Sequence, residues 1–418
     1  MAVEVFPYKL AVAAIFKDEA AYLGEWLDYH LAAGVEHFYL YNNGSTDNFA
    51  EVLAPYAGLV TVTDWQGKLM QNPAYDDAVA NHRFECKYIA FIDLDEFIFP
   101  KTGASIFETV DEIFSRDETI AAVGINMQYF GSNGQVEADL SRGVLERFTR
   151  RAPDDWTFIS DKGITSGNVY IKSIVNPRRV DYFFGPHYAV YFGDMKSVDS
   201  RGNEISRAGN LNIATDKIVL NHYYTKSRAE FAAKVSRNDA FFASNPRRME
   251  MFARFDRNEV FDDGIISYRA ARAKNFFIEP EAERVRRVQE VLTQILTQTS
   301  PFDAPPDFFT GKLETFLTCR ALAEVFGTQI GSRSAEEFAL VWIAQTLLRA
   351  KSITTAEVRQ FTRALPEILA RPSPITRKLN HLTQEVLIPR FCAAHKVSHD
   401  WRARMEMLQL QKFLRLIK

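Results

Sequence analysis

The sequence predicts an α/β protein, a largely parallel sheet followed by a helical C-terminal region. Three observations carry that prediction. Strand and helix patterns alternate with short connections over roughly the first 120 residues, as parallel strands joined by right-handed crossovers require. From Ile120 to about Tyr224 short strand patterns separated by Gly, Asn and Pro take over. After Thr225 the apolar spacing is helical.

Taken in order, Lys9 to Phe16 is an apolar run that reads as a first strand and ends in the polar turn Lys17-Asp18-Glu19. Tyr22, Trp26, Tyr29 and Leu31 have helical spacing, with Gly34 as the C-terminal stop. His37 to Tyr41 is a second strand, Asn42 to Asp47 a loop, Phe49 to Tyr56 a short helix and Leu59 to Thr63 a third strand. Asp76 to Phe84 reads as a helix before the apolar strand Tyr88 to Ile92. Further strands are expected at Ala121–Met127, Val169–Ile174, Val180–Phe184 and Lys217–Leu220. Ser227–Val235 and Glu281–Leu296 follow as helices with Arg-rich, solvated faces.

Thr299 to Pro306 is the best linker candidate, so residues 1–237 form the expected sheet domain, 238–300 a helical extension and 301–418 a helical domain. In that last part Leu313–Phe326, Ala335–Leu348 and Thr355–Ala370 have amphipathic spacing. The basic stretch Trp401 to Ile417 is patterned as a helix that packs on its own domain or lies on anionic lipid.

Composition narrows the class. With 47% hydrophobic and 25% charged residues the chain reads as a soluble globular protein. A net charge of −3 gives no reason to expect nucleic acid as a partner. Cys86, Cys319 and Cys392 are too far apart for a metal-ligand spacing and read as reduced thiols. Met1 to Pro7 lacks the pattern of a signal peptide and no apolar run approaches bilayer length, so the expectation is a cytoplasmic protein, with membrane contact left to the basic terminal helix.

Function is most legible at Asp93-Leu94-Asp95-Glu96, which closes the Tyr88–Ile92 strand. Sheets of this type bind ligands at the carboxyl ends of their strands. Two carboxylates one residue apart repel there unless a cation joins them, and hard oxygen ligands suit magnesium or manganese with phosphate. Ile15 to Glu19 and Tyr41 to Asp47 also follow strand ends, and Asn221-His222-Tyr223-Tyr224-Thr225-Lys226-Ser227 adds an imidazole and a Lys far downstream. Two carboxylates plus imidazole make a workable manganese site, and a nearby Lys neutralises phosphate oxygens. Arg83, before the fourth strand, either reaches a phosphate or pairs with Asp77.

The order and spacing of these pieces resemble metal-dependent glycosyltransferases of the GT-A fold, a Rossmann-like nucleotide-diphospho-sugar transferase sheet. The resemblance is strongest to glycosyltransferase family 92 and bacterial family 2-like relatives. It is carried by Phe16-Lys17-Asp18-Glu19, Leu23 to His30, Gly34-Val35, Tyr41 to Asp47, Phe91 to Phe97, and His222 to Ser227 with Glu230-Phe231. It covers roughly residues 9–100 and 170–237.

The resemblance implies that Asp93 and Asp95 hold Mn2+ or Mg2+ against the diphosphate of a sugar nucleotide. His222 would complete the coordination and Lys226 would face the phosphates. Phe16, Asp18, Glu19 and the loop carrying Asn43 and Asp47 would contact base and ribose. Asp18 stands where relatives often have Asn, and Asn42-Asn43 replace a commonly acidic residue, so the nucleotide stays open. The acceptor implied is a saccharide or glycoconjugate hydroxyl. The resemblance also implies inversion, which needs one base to deprotonate that hydroxyl. Asp155, His187 and Asp194 are the candidates. Trp156, Phe183, Phe184, Tyr188, Tyr191 and Phe192 are a candidate aromatic platform for the acceptor.

Two other readings remain. A hydrophobic strand followed by Asp-x-Asp also describes phosphohydrolases that phosphorylate the first Asp. That class usually has Thr or Val four residues on, where this chain has Phe97. A non-catalytic sugar-nucleotide-binding protein is the third possibility.

Overall fold

The computed structural model describes residues 6–83, 85–160, 163–191, 195–236, 248–274 and 278–298, with short pieces at 329–330 and 333–334. The helices expected beyond Thr299, together with Phe192 and Asp194, lie outside these residues. The chain divides into two compact units. One comprises Tyr8–Tyr191 and Met195–Ile278; the other contains the helix Glu281–Gln298.

The sheet unit begins as the alternation requires: β1 (Tyr8–Phe16), α1 (Ala20–Ala32), β2 (His37–Asn42), α2 (Phe49–Leu53), β3 (Val60–Asp64), α3 (Gln71–His82), β4 (Cys86–Phe91). These four strands are parallel, in the order β4-β1-β2-β3. The register pairs Phe16 with Asn42 and Ala13 with Phe91, so three strands end on one edge. Helix α1 stops where the sequence says: Gly34 has φ +100°, a conformation glycine adopts without strain. Helix α3 starts five residues before the expected Asp76, because Pro73 sits in its first turn. There the missing N–H has no intrahelical partner to lose.

Beyond β4 the chain doubles back. Residues 96–119 hold two elements with no place in the sequence reading, β5 (Glu96–Pro100) and α4 (Ile106–Phe114). Helix α4 carries a complete capping box: Ser105 Oγ accepts from Glu108 N at 3.1 Å, while Ser105 N donates to Glu108 Oε2 at 2.7 Å.

Next come β6 (Ile120–Tyr129), the single turn α5 (Val144–Arg147), β7 (Arg150–Arg151) and the hairpin of β8 (Thr157–Ile159) and β9 (Thr165–Gly167). Strand β10 (Ile171–Val175) lies antiparallel between β4 and β6, turning the parallel half into a mixed sheet. The hairpin β11 (Val180–Gly185) and β12 (Tyr188–Tyr191) packs toward α3, where Phe183 N donates to Asp76 Oδ1 at 2.7 Å. Strands β13 (Lys196–Val198) and β14 (Glu204–Ile205) extend the far edge, and β15 (Ile218–His222) pairs antiparallel with β5 and parallel with β6. Helix α6 (Arg228–Ser236) follows.

The sheet unit runs past the boundary expected at 237. After α7 (Glu250–Phe255), β16 (Val260–Phe261) pairs with β7, and α8 (Gly264–Ala273) packs on α1. There Arg272 Nε donates to Ala32 O at 3.3 Å. The sheet is therefore covered by apolar layers on both faces, one including Leu23, Trp26, Phe97 and Tyr223, the other Tyr75, Phe91 and Phe183. In the other unit, α9 (Glu281–Gln298) matches the helix expected there.

Candidate active site

Strand β4 ends at Phe91 because Asp93 and Asp95 turn the chain into β5, and the two aspartates lie in that link. Each is matched by a lysine from a distant segment. Asp93 Oδ1 accepts from Gln71 Nε2 at 2.7 Å and from the Tyr75 hydroxyl at 3.3 Å, while Oδ2 accepts from Lys172 Nζ at 3.0 Å. Register explains Lys172: Ile174 pairs with Ala90, so two residues further along the antiparallel strands Lys172 comes opposite Ile92. Asp95 Oδ2 accepts from Lys234 Nζ and faces His222 Nε2 at 3.5 Å. His222 arrives by pairing, since β15 sets it directly opposite Glu96 while Tyr223 N donates to Asp95 O at 2.8 Å.

Electrostatics divide the three acids. Burial disfavours charge on Asp93, but Lys172 outweighs it and holds the carboxyl below its usual range. Burial opposes charge on Asp95 too, yet Lys234 and His222 keep it well below that range. Glu96 is fully buried and goes the other way, pushed well up by burial and by the two aspartates despite Lys172. Its Oε2 accepts from Asp93 N at 2.8 Å, fixing the turn. Burial also lowers the pKa of His222, which leaves a neutral imidazole despite Asp95.

A charged carboxylate beside a neutral imidazole is the protonation pattern a divalent ion requires. Asp95 Oδ2 and His222 Nε2 would supply two donors to such an ion once Lys234 leaves that oxygen. Asp93 does not join them in a three-donor cluster, and no group of three His, Cys, Asp or Glu poised to hold a metal occurs among the described residues. Both oxygens of Asp93 are engaged by protein donors instead.

The remaining candidates are distributed as follows. Phe16 is buried at the end of β1, edge-on to Phe49 at 5.3 Å. Asp18 has φ 51° and Oδ1 accepts from Thr46 N at 2.7 Å; Asp47 Oδ2 accepts from Ala20 N at 2.8 Å at the start of α1. Asn43 Nδ2 donates to Trp65 O at 2.7 Å. These residues and Glu19 share the strand edge with Asp93, and several of their polar atoms stitch the two loops together. Lys226 Nζ lies over the Tyr22 ring at 3.7 Å, buried near the same edge.

Arg83 is placed elsewhere. Gln71, the first residue of α3, touches Asp93, whereas Arg83 follows the last, about 18 Å along the helix at 1.5 Å per residue. It caps the far end, donating to Val79 O at 3.2 Å. Among the three base candidates, His187 Nδ1 donates to Ile171 O at 2.8 Å, beside Lys172. Burial first, then Lys172, lowers its pKa to about 4. Asp155 is exposed in a turn, where its neighbour Asp154 makes the ion pair with Arg151 at 2.9 Å. Asp194 lies outside the described residues.

The aromatic residues do not form one platform. Trp156 stacks edge-on to Tyr129 at 5.5 Å, next to His222, whereas Phe183 packs on Phe91 across the sheet at 4.4 Å. Phe184 is 75% exposed. A cavity of about 670 Å³ lies on α1, lined by Glu25, Asp28, Leu31, Glu146 and Arg269, and includes none of the acidic-centre residues.

Sequence reasoning missed Gln71, Tyr75, Lys172 and Lys234. One signal was available: Lys172 interrupts the apolar run Ile171–Val175 and is 1% exposed, which a lysine tolerates only opposite negative charge.

An α/β sheet with acidic and basic groups gathered at its strand ends is a common setting for ligand binding, and comparison makes the family definite. The glycosyltransferase family 92 model matches residues 7–259, and the chain belongs to that family. Membership of that family sets the phosphohydrolase alternative aside. A family 92 protein of Ricinus communis is 27% identical over 252 residues, covering 57% of this chain and 39% of that protein. One of Oryza sativa subsp. japonica is 28% identical over 148 residues, covering 34% and 25%. One of Arabidopsis thaliana is 22% identical over 244 residues, covering 56% and 38%. The chain thus spans less than two fifths of the length of these curated relatives.

Proposed function

We propose that this chain is an inverting, GT-A-type enzyme that moves a sugar from a nucleoside-diphosphate sugar to a hydroxyl of a saccharide or glycoconjugate. The observation that carries the reading is the Asp93–Glu96 turn at the strand edge, with Lys172, His222, Lys226 and Lys234 converging on or beside it. Asp95 and His222 would hold a divalent cation, Mn2+ or Mg2+. Such an ion, when bound, neutralises charge developing on a leaving diphosphate.

The chain's own residues account for the rest. Lys226 and Lys234 offer ammonium groups to the phosphates, and Lys172 fixes Asp93 by a charge-assisted hydrogen bond. His187 is the base this reading favours. Its Nδ1–H is committed to Ile171 O, so Nε2 carries the lone pair, and its lowered pKa keeps it unprotonated near neutral pH. The acceptor proton passes to Nε2, and the acceptor oxygen bonds to the anomeric carbon. The bond from that carbon to the diphosphate oxygen breaks, its electron pair leaving with the diphosphate.

Thermal shift with UDP and GDP, with and without MnCl2, together with a donor screen reading nucleoside-diphosphate release, tests the assignment. Metal-dependent stabilisation by one nucleotide and release from one donor are expected. Asp95→Ala should remain folded by circular dichroism yet lose release, and His187→Asn should keep nucleotide binding but lose transfer. Wild-type-like release from Asp95→Ala refutes the reading.

A further inference from the structure

We propose that Lys234 is a tethered counter-ion that occupies the cation position at Asp95 until a nucleoside diphosphate draws it away. The inference rests on the metal-assisted reading above. Its basis is a shared atom: Lys234 Nζ contacts Asp95 Oδ2, the same oxygen that faces His222 Nε2 at 3.5 Å. A divalent ion held by Asp95 and His222 and an ammonium on that oxygen repel one another, so the two compete. Lys172 does not, because it engages Asp93 and lies 3.5 Å from Glu96.

Several contacts hold the ammonium in place. Lys234 also donates to Tyr224 O at 3.1 Å and sits 4.2 Å over the Tyr224 ring, which favours a cation there. Its side chain is 14% exposed, so it is not sealed from solvent. The helix beneath it is anchored elsewhere: Arg147 clasps Glu230 through two hydrogen bonds of 2.8 Å. Release is therefore a swing of the four-carbon lysine stem, and the helix stays where it is. Before any ligand arrives the two aspartates are already matched by two ammonium groups. A cation alone adds unbalanced positive charge, whereas a cation with a diphosphate restores the balance and gives Lys234 a new anionic partner.

The consequence is an opposite-signed effect that a purely structural role does not produce. Manganese binding, followed by the EPR signal of free Mn2+ without nucleotide, should tighten about tenfold or more in Lys234→Met, a change worth ~1.4 kcal/mol per decade. UDP or GDP binding by the same variant, measured by calorimetry with saturating Mn2+, should weaken about tenfold. Lys234→Gln is the second variant should the methionine disturb folding, and Lys234→Arg should keep the wild-type order of affinities. Manganese affinity that is unchanged or weaker in both neutral variants overturns the inference. Failure of wild type to bind Mn2+ even with UDP or GDP overturns the metal-assisted reading with it, so the two failures are told apart.

Discussion

Lys172 is a charged side chain, 1% exposed, in a strand hydrogen-bonded on both sides. Such a position is tolerated because Asp93 and Glu96 accept its charge, and burial is overcome to the point that its pKa is raised. Removing the amine leaves the wholly buried Glu96 and the turn at Asp93 without their cation. Lys172→Met should therefore cost about 3 kcal/mol, within the range for breaking a buried pair. Urea titration with an unchanged slope reads this directly, and a loss under about 1 kcal/mol would show that the carboxylates re-pair or protonate at little cost.

At the scale of elements, α6 brings Lys234 to Asp95, and a buried clasp fixes α6. Glu230 takes both guanidinium nitrogens of Arg147, the Tyr22 hydroxyl at 2.8 Å and the Ser227 amide at 3.0 Å. Tyr22 also carries Lys226 on its ring, so α1 and the segment His222–Ser236 are joined through one side chain. Burial raises the pKa of Glu230, but Arg147 and Ser227 prevail and bring it to about 2. A carboxyl depressed on folding stabilises the fold above its ordinary value of 4.5, and that contribution fades as pH falls toward about 2. Denaturation midpoints of wild type should thus drop between pH 5 and pH 2.5 more steeply than those of Glu230→Gln. Parallel acid sensitivity in the two proteins counts against the clasp.

At the scale of the whole sheet unit, stability should grade from the middle strands outward. Leu10 to Ala14 of β1 are wholly buried between β2 and β4, whereas β3 forms an edge with Thr61, Val62 and Asp64 exposed. Amides of Leu10–Ala14 and Ile89–Phe91 should exchange with solvent deuterium only on global unfolding, while those of Val60–Asp64 exchange by local opening. Equal protection of β3 and β1 would contradict this gradient.

How much could be read in advance follows from the range of the forces. Continuous apolar runs marked β1, β2 and β4, and Gly34 marked the end of α1, because local sterics and burial write those patterns into adjacent residues. Strand β5 and helix α4 went unread although Ser105 and Glu108 form a local capping signal. Placing Asp93 and Asp95 at the mouth of the crevice needed little more than a strand followed by acids. Other facts required partners far away along the chain: Lys172 is 79 residues from Asp93, and Lys234 is 139 from Asp95. The amino-acid order alone settled an α/β chain with an acidic turn at a strand end, since those depend on near neighbours. Strand register and the docking of α6 settled which cations face which carboxylates, that His222 meets Asp95, and that Arg83 lies a helix length away. Charges separated by a hundred residues acquire a distance only once the sheet has closed around them.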